Sequence, residues 1–380
     1  MAKLSVHLVA WNGAKYIPHA LASLRAQTYK DWEFLAIDNN STQDNTADLI
    51  EQELRNFPVP VRLIRNKQNL GFAKGHNQAV RETASEYFQL YNQDIVLAPD
   101  YLEKAAAMMD AHPEAGAGQG VLLKWNFQKM ENGEWRTENH NPSQPPLILR
   151  GGESGLTEII DTMGLKVMRS RRVVDWRTGL TYNNVIPDRD RGSRLNSNLD
   201  SRFRGNDKGM EVFGVSGALP IYRRQAIEEV MFEGAMFDDE FGSYKEDVDL
   251  AFRLRSAGWK AYVAPDARAW HDRTAAGPRE MSDEAAMKNR KGRPTYVNYY
   301  SYRNHLIVLL KNEHRANLAK DWPWIVWYEL RKLVFMVLFD RATFKGLRDI
   351  WKSRKRIMEK RAAIMANYKV QPEEMRRWFM

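Results

Sequence analysis

Residues 3–38, KLSVHLVAWNGAKYIPHALASLRAQTYKDWEFLAID, decide the fold of this chain. Apolar and polar residues alternate over 4–8, as they do in a strand, and 14–27 repeat apolar residues at helical spacing. A second short apolar run follows at 32–38. A strand, a helix and another strand in this order predict a βαβ unit, whose two strands lie parallel in one sheet.

The same alternation continues towards residue 120. The patterns predict further helices and strands, in chain order a helix at 42–55, a strand at 61–65, a helix at 72–84, a strand at 86–94 and a helix at 99–111. We therefore predict an α/β fold with a mostly parallel, Rossmann-like sheet that is covered by helices on both faces. Ligands of such sheets bind at the carboxyl ends of the strands, next to the point where the strand order reverses.

The chain is divided here into three parts. The patterns predict residues 1–125 and 126–280 as two parts of an α/β body and 281–380 as a basic amphipathic helical tail. The segment 183–209 is rich in Arg, Asn, Asp, Ser and Gly and has little to bury, so we interpret it as a disordered insertion without chemistry.

Composition limits the classes of function. The chain has 380 residues and a net charge of +9, and it has no cysteine, which excludes disulfides, zinc–thiolate sites and thiol nucleophiles. Residues 311–380 contain 17 Lys or Arg against eight Asp or Glu, so the rest of the chain is close to neutral. No signal peptide or uncharged run long enough to span a bilayer is evident, and a cytoplasmic location is expected.

The basic tail allows two interpretations. Residues 322–339 cluster aromatic and apolar residues around Glu329, Arg331 and Lys332, which suits a helix lying on a membrane surface rather than crossing it. The tail would then hold the protein on the inner face of the plasma membrane through anionic lipids. Alternatively it is a helical cap packed on the main domain. Because its aromatics fall on apolar faces, base stacking and nucleic-acid binding are not expected.

Two predicted strands end on acidic residues. Asp38 follows the second strand, and Asp94 follows the strand at 86–94, two residues after Asn92. Asp38 could accept hydrogen bonds from a ribose or a base, whereas Asn92 and Asp94 resemble a short site for Mg²⁺ or Mn²⁺. A single Asp after a strand is more often a turn or cap residue, but two at one edge of a sheet favour a binding site.

The stretch GSYKEDVDLAFRLRSAGW (242–259) places acids ahead of an amphipathic helix. Ser243 and Glu246 fit a capping box, which is the structural interpretation of these acids. The functional interpretation is that Asp247 is a base held at the tip of the helix, where the helix dipole keeps a carboxylate ionised. The motif by itself does not decide between them.

Several motifs in this order resemble the family 2 glycosyltransferases of the GT-A fold, and most of all the rhamnosyltransferase-like branch. The resemblance covers 3–125 and 211–275. It rests on AWNGAKYIPHALASLRAQTYKDWEFLAIDNNSTQDNT, NLGFAKGHNQAV, YNQDIV, VSGALPIYRR, FDDEFGSYKEDVDLAFRLRSAGW and AWH.

The resemblance implies roles for individual residues. The acid matching Asp38 contacts the nucleoside, Asp94 and His271 bind Mg²⁺ or Mn²⁺, and Asp247 is the general base with Glu246 beside it. Asn92 departs from the usual acid, and its neutral amide weakens the affinity for metal. The remaining positions expected to contact the nucleotide sugar are Asn12, Gly71, Phe72, Gly75, Asn77 and Asn92.

The implied function is an inverting, metal-dependent transfer of a sugar, rhamnose or another hexose, from a nucleotide-diphosphate sugar. The acceptor would be a glycan, including a lipid-linked one, in cell-surface polysaccharide synthesis. Two alternatives stay open, a sugar nucleotidylyltransferase and a non-catalytic protein that binds nucleotide sugars or glycans. Assembly as a homo-oligomer also stays open.

Overall fold

The computed structural model describes residues 2–127, 155–186, 209–273 and 294–380. Most of the predicted insertion at 183–209 therefore lies outside the described residues. Its first residues belong to a short helix, α5 (Tyr182–Val185).

The first half of the chain contains the predicted β-α-β units. Strands β1, β2 and β3 and strand β4 lie parallel, in the order β4-β1-β2-β3. Since β1 pairs with both β2 and β4, the strand order reverses beside β1. The elements are β1 (Leu4–Ala10), α1 (Ile17–Arg25), β2 (Trp32–Asp38), α2 (Thr46–Glu53), β3 (Val61–Arg65), α3 (Gly71–Arg81), β4 (Tyr87–Tyr91), β5 (Ile95–Leu97) and α4 (Tyr101–Ala111).

The second half of the chain extends the same sheet, which is mixed and contains ten strands within the described ranges. Strand β11 lies antiparallel between β4 and β6, and β12 is parallel to β6, so the order is β10-β12-β6-β11-β4-β1-β2-β3. Strand β5 pairs with β12 and β7 with β6, while β8 and β9 form a separate hairpin. The elements are β6 (Ala115–Trp125), β7 (Leu156–Thr162), β8 (Leu165–Val167), β9 (Val173–Asp175), β10 (Met210–Val212), β11 (Ile221–Arg223), α6 (Arg224–Val230), α7 (Glu246–Ser256) and β12 (Lys260–His271).

Strand β6 was not predicted, because its sequence AGAGQG contains three glycines, which weaken strand propensity. The structure explains one of them. A Cβ added to Gly120 would lie 2.3 Å from the carbonyl oxygen of Ala267 on β12, so only glycine allows the two strands to approach this closely.

Strand β1 is buried on both faces, in line with the predicted helices on either side of the sheet, whereas β3 at the edge is partly exposed. The polar residues of β1, Ser5 and His7, are as buried as their apolar neighbours. Their side chains are hydrogen-bonded inside the protein, Ser5 Oγ to His7 Nε2 at 2.9 Å and His7 Nε2 to the Thr83 hydroxyl at 3.0 Å. A buried polar side chain is tolerated when it has such partners.

The C-terminal region is helical, as predicted, and it packs on the α/β body. It consists of α8 (Thr295–Asn312), α9 (Arg315–Phe339), a 3₁₀ turn (Arg341–Phe344), α10 (Lys345–Ala366) and α11 (Pro372–Arg376). Buried ion pairs fasten it to the body, Lys311 to Asp249 at 3.0 Å and Lys360 to Asp238 at 2.6 Å. Among the described helices none is both long enough and apolar enough to cross a membrane.

Candidate functional site

Asn12 and Asp38 meet at the carboxyl ends of β1 and β2. The backbone N–H of Ser41 donates to both carboxylate oxygens of Asp38 at 3.3 Å, and the Ser41 hydroxyl accepts from the Asn12 N–H at 2.9 Å. Asn12 adopts a left-handed φ of 45°, and its side-chain NH₂ is buried without a hydrogen-bond partner in the described part of the chain. Both residues lie where the sheet topology places a ligand.

The two glycines of the NLGFAKG motif have different physical roles. Gly71 has a φ of +78° at the start of α3, a conformation that favours glycine. At Gly75 a Cβ would lie 2.7 Å from Cγ1 of Val9, so the missing side chain lets α3 pack closely on β1. Together they bring the N-terminus of α3 to the same edge as Asp38.

Phe72 and Asn77 contact another part of the chain in this structure. The Asn77 side-chain NH₂ donates at 2.8 Å to the Phe237 carbonyl and to the Asp239 carboxylate, and the ring of Phe72 lies 5.9 Å from that of Phe237. A direct contact of these two side chains with a donor sugar stays a prediction.

Asp94 and His271 face each other across the turn after β4 and the end of β12. His271 Nε2 lies 3.4 Å from Asp94 Oδ2, while its Nδ1 is 3.0 Å from Asp161 Oδ2. Arg273 continues the cluster with Asp161 at 3.7 Å and Asp175 at 2.6 Å. Asp161 and Asp175 were not predicted from the sequence, because β7 and β9 lie in a region whose pattern is too irregular to assign. Arg273 was not predicted either; it lies two residues beyond the AWH motif at the end of β12.

This cluster fits a divalent cation that is completed by a ligand. Asp161 fixes the imidazole ring and leaves Nε2 directed at Asp94, which is the carboxylate–histidine arrangement common around bound metals. Burial opposes the charged ring, but Asp94 and Asp161 raise the pKa of His271 to about 9. A cation at this position would take the place of that proton. No set of three or more His, Asp or Glu within the described ranges could hold a metal, so phosphate oxygens or water must supply further ligands.

The capping box, one of the two interpretations of this motif, does not form at the start of α7. The helix begins after Lys245, no side chain caps it, and Tyr244 and Lys245 both adopt left-handed φ angles of 69° and 72°. This turn takes Ser243 out of the capping position. Glu246 is buried, and its Oε2 has no hydrogen-bond partner among the described residues.

Asp247 is held differently from Glu246. It is partly exposed, and its carboxylate accepts from the N–H of Gly217 at 3.0 Å and from the N–H of Val248 at 2.8 Å. Burial raises its pKa, which Lys245 and the two N–H groups oppose, whereas burial and the neighbouring Asp247 raise the pKa of Glu246 to about 8. The two N–H donors to Asp247, against none to Oε2 of Glu246 among the described residues, therefore favour Asp247 as the charged member of the pair, as a base must be.

Asp249 has a structural role. It is fully buried and paired with Arg253, Lys311 and Asn312 at 2.8–3.0 Å. These partners lower its pKa against the opposing effect of burial. The acids of the EDVD motif thus divide into a buried protonated Glu, an accessible carboxylate and a structural anchor.

Short contacts connect these groups at one edge of the sheet. The Asn92 N–H donates to the Ala218 carbonyl at 3.2 Å, and the preceding residue, Gly217, binds Asp247. On the other side, the Ala73 N–H of α3 donates to the Gly242 carbonyl at 3.3 Å, four residues before α7. The predicted nucleotide, metal and base positions are therefore linked through the loops at 217–218 and 242.

The sequence from 5 to 231, more than half of the chain, matches the family model described as glycosyl transferase family 2. The chain belongs to glycosyl transferase family 2. This membership agrees with the resemblance seen in the motifs, and it favours a transferase over the nucleotidylyltransferase alternative.

Individual relatives agree with this family. The N-acetylglucosaminyl-diphospho-decaprenol L-rhamnosyltransferase of Mycobacterium tuberculosis is 23% identical over 305 residues, 77% of this chain and 83% of that protein. An uncharacterized glycosyltransferase of Haemophilus influenzae is 28% identical over 107 residues. The matched segment is 28% of this chain and only 32% of that protein. The structure of GalNAc-T7 with UDP, GalNAc and Mn²⁺ matches with a TM-score of 0.51 and 13% identity, over 82% of this chain and 48% of that one. It shows that the fold is shared.

The raised pKa of Glu246 makes stability depend on pH. Between its ordinary value of 4.5 and about 8, the unfolded chain loses this proton while the folded chain keeps it. Relative to Glu246→Gln, wild type should therefore lose stability as the pH rises through this range, by up to about 1.4 kcal/mol per pH unit. Urea unfolding of both proteins from pH 4 to 9 measures the difference. Glu359→Gln, at an exposed position, is the control, and parallel curves for Glu246→Gln and wild type would contradict the assignment.

Proposed function

We propose that this chain is an inverting glycosyltransferase that uses a nucleotide-diphosphate sugar as donor. The observation that carries the proposal is the Asp247 carboxylate, which is accessible, fixed by the Gly217 N–H and joined through Ala218 to the turn that bears Asp94. A base at Asp247 and a cation at Asp94 would then act in one site, as the proposed inverting transfer needs. Family membership supports the reaction class.

Each part of the site has a role in this proposal. Asp38 and Asn12 would bind the nucleoside, and the N-terminus of α3 offers backbone N–H groups to phosphate. Asp247 would accept the proton of the acceptor hydroxyl as that oxygen attacks the anomeric carbon. Asp94 and His271 would hold Mg²⁺ or Mn²⁺, which neutralises charge on the leaving diphosphate.

The donor and acceptor are proposed from the relatives. The mycobacterial relative is named for transfer of L-rhamnose to a glycosylated diphospho-decaprenol, so we propose rhamnose or another hexose as the transferred sugar. The acceptor would be a glycan carried on a lipid diphosphate, in the synthesis of a cell-surface polysaccharide. A panel of UDP-, GDP- and dTDP-sugars, scored for the released nucleoside diphosphate, identifies the donor.

We also propose that the protein binds the cytoplasmic surface of the membrane through α9 and α10. One side of α9 exposes large apolar residues, with Trp322 56%, Trp327 62% and Leu338 64% exposed. On α10, Arg348, Trp351, Lys352 and Lys355 are exposed at a spacing that places them on one helix face. This combination suits the boundary between lipid headgroups and acyl chains. Not all of the basic tail is available, because Lys311, Lys332, Lys360 and Arg376 are paired with acids.

The first prediction concerns the base. Asp247→Asn should lower kcat by roughly 10²–10⁴, because the amide cannot accept the proton, while donor affinity stays near wild type. Steady-state kinetics and calorimetric titration of the donor measure the two quantities. Asp48→Asn, on the surface of α2, is the control. A larger loss in Glu246→Gln than in Asp247→Asn would assign the base to Glu246, and donor binding without turnover in wild type would favour the binding-protein alternative.

The second prediction concerns the cation. Excess chelator should abolish turnover, added Mg²⁺ or Mn²⁺ should restore it, and Asp94→Asn should prevent restoration because it removes a ligand. Asp161→Asn should weaken Mn²⁺ binding in the presence of a nucleoside diphosphate about 10- to 100-fold, since it frees the His271 ring. Electron paramagnetic resonance of Mn²⁺ measures this binding. Full turnover in chelator would contradict the cation requirement, and Arg or Lys side chains would then have to neutralise the leaving diphosphate.

The third prediction concerns the membrane. Full-length protein should co-sediment with anionic vesicles and much less with neutral ones, and salt should weaken the binding. Arg348→Glu/Lys352→Glu should lower the affinity at low salt at least about 30-fold, since each lost basic residue contributes about 1 kcal/mol and the two new carboxylates are repelled by anionic lipid. Lys30→Glu/Arg55→Glu changes the net charge equally on the α/β body and should have little effect. Failure of the wild type to bind either vesicle would show that the tail serves packing or self-association instead.

A further inference from the structure

The segment 237–245 lies between the start of α3 and the start of α7, and we call it the bridging segment. Asn77 binds the Phe237 carbonyl at 2.8 Å and Ala73 binds the Gly242 carbonyl at 3.3 Å, both from α3. Its last residue, Lys245, directly precedes Glu246 and Asp247. The position of the proposed base thus depends on the conformation of this segment.

The end of the bridging segment has an unfavourable backbone conformation. Gly242, Tyr244 and Lys245 have φ angles of 67°, 69° and 72°. Tyr244 and Lys245 carry a Cβ, which makes this region costly for them, and two such residues in succession are rarer still. Such a conformation persists only where the surrounding structure holds it in place.

A side chain of the C-terminal region provides this hold. Asn304 on α8 is fully buried, and its Nδ2 lies 2.9 Å from the Phe241 carbonyl, 2.9 Å from that of Ser243 and 2.8 Å from that of Tyr244. Its Oδ1 accepts from Arg303 at 2.9 Å, and the same guanidinium nitrogen donates to the Glu240 carbonyl at 2.8 Å. The two hydrogens of the NH₂ group are therefore shared among three acceptors at the strained turn.

We infer that Asn304 is a positioning residue for Asp247, so that the C-terminal helices are part of the catalytic apparatus as well as a surface. The inference rests on the proposed function. The chemistry of the contact is specific, because only a side chain with two N–H donors satisfies several converging carbonyls. An Asp at this position would direct a carboxylate at the same oxygens and repel them, with almost no change in volume.

The expected consequence is a loss of rate rather than of donor binding. Displacement of a reacting group by about 1 Å can cost about 10²-fold, so Asn304→Asp should lower kcat about 10- to 100-fold with donor affinity within about threefold of wild type. A loosened turn also lets water reach Asp247, whose charged neighbours are Lys245, Glu246, Asp175 and Arg273 and whose pKa is raised by burial. In the uncharged variant Asn304→Ser the acidic limb of the kcat–pH profile should therefore move to lower pH, whereas the added carboxylate of Asn304→Asp opposes this shift.

The experiment compares full-length wild type, Asn304→Asp, Asn304→Ser and Asn317→Asp with the donor that gives turnover in the panel above. Asn317 is a matched control, since it is buried, lies on α9 and donates at 2.8 Å to the Pro372 carbonyl, far along the chain from the bridging segment. It should keep the wild-type kcat and pH profile. A shifted acidic limb is the readout that a purely structural defect would not produce, because partial unfolding lowers the amount of active enzyme without moving the limb.

The possible outcomes separate this inference from the proposed function. Wild-type kcat and pH profile in folded Asn304→Asp, with Asp247→Asn crippled, would overturn the role of Asn304 alone. Normal turnover in Asp247→Asn would remove Asp247 as the base and this inference with it, whereas no turnover by the wild type with any donor of the panel would overturn the proposed function itself. If Asn304→Asp does not fold, Asn304→Ser provides the test, because serine has a shorter side chain with a single O–H donor and adds no charge. It should show a reduced kcat and a shifted limb, and wild-type values for it would overturn the inference.

Discussion

The buried charges around Asp249 and Asp238 hold the two parts of the molecule together. Lys311 lies 3.0 Å from Asp249 and 2.7 Å from Asp238, and Lys360 lies 2.6 Å from Asp238. All four side chains are at least 95% buried. Removing such charges from water is costly unless every one is paired, so α7, α8, α10 and the bridging segment must come together in one arrangement. The orientation of α7, and hence of Asp247 at its tip, follows from this arrangement.

The catalytic edge is assembled from segments that are distant in the sequence. The parallel strands bring Asn12, Asp38 and Asp94 to one edge, because the carboxyl ends of parallel strands coincide. The loop at 217–218 then connects the Asp94 turn to Asp247, because the Ala218 carbonyl accepts from the Asn92 N–H and the Gly217 N–H donates to the Asp247 carboxylate. Backbone contacts are well suited to this purpose, since they vary less in position than flexible side chains. The β8–β9 hairpin adds Asp175 next to Arg273 and closes the charge cluster around His271.

The C-terminal helices pack on the α/β body and also expose an apolar and basic surface. From the sequence, packing and surface binding were two alternative interpretations of this tail. The inner faces of these helices pack on the body through ion pairs and through Asn304, while α9 and part of α10 expose apolar and basic residues. A helical region that packs on the body with one face and binds a membrane with the other can hold a catalytic site at a defined distance from that membrane. In the proposed membrane-bound state, the helical region that binds the membrane through α9 and α10 also contains α8, whose Asn304 is proposed to position the base.

The sequence alone determined the features that depend on neighbouring residues, such as strands, helices and the residues that follow them. The period of apolar residues predicted the first three parallel strands and the helices between them, and two acids placed directly after strands predicted the binding edge. The ordered motifs identified the family. The roles inside the EDVD motif could not be read in this way, because protonated Glu246, accessible Asp247 and anchored Asp249 differ only in burial and partners.

Only the tertiary structure decided those roles, because burial and partners depend on contacts between distant segments. The other parts of the site depend on such contacts as well. Glycine-rich β6 forms a strand because β12 must approach it closely, which no propensity of its own indicates. Asp161, Arg273 and Asn304 lie between 60 and 110 residues along the chain from His271, Asp175 and Tyr244, the residues that they contact. No single sequence motif therefore contains both partners of such a contact. Their importance arises from long-range contacts between elements, and burial and pairing of this kind exist only once the chain has folded.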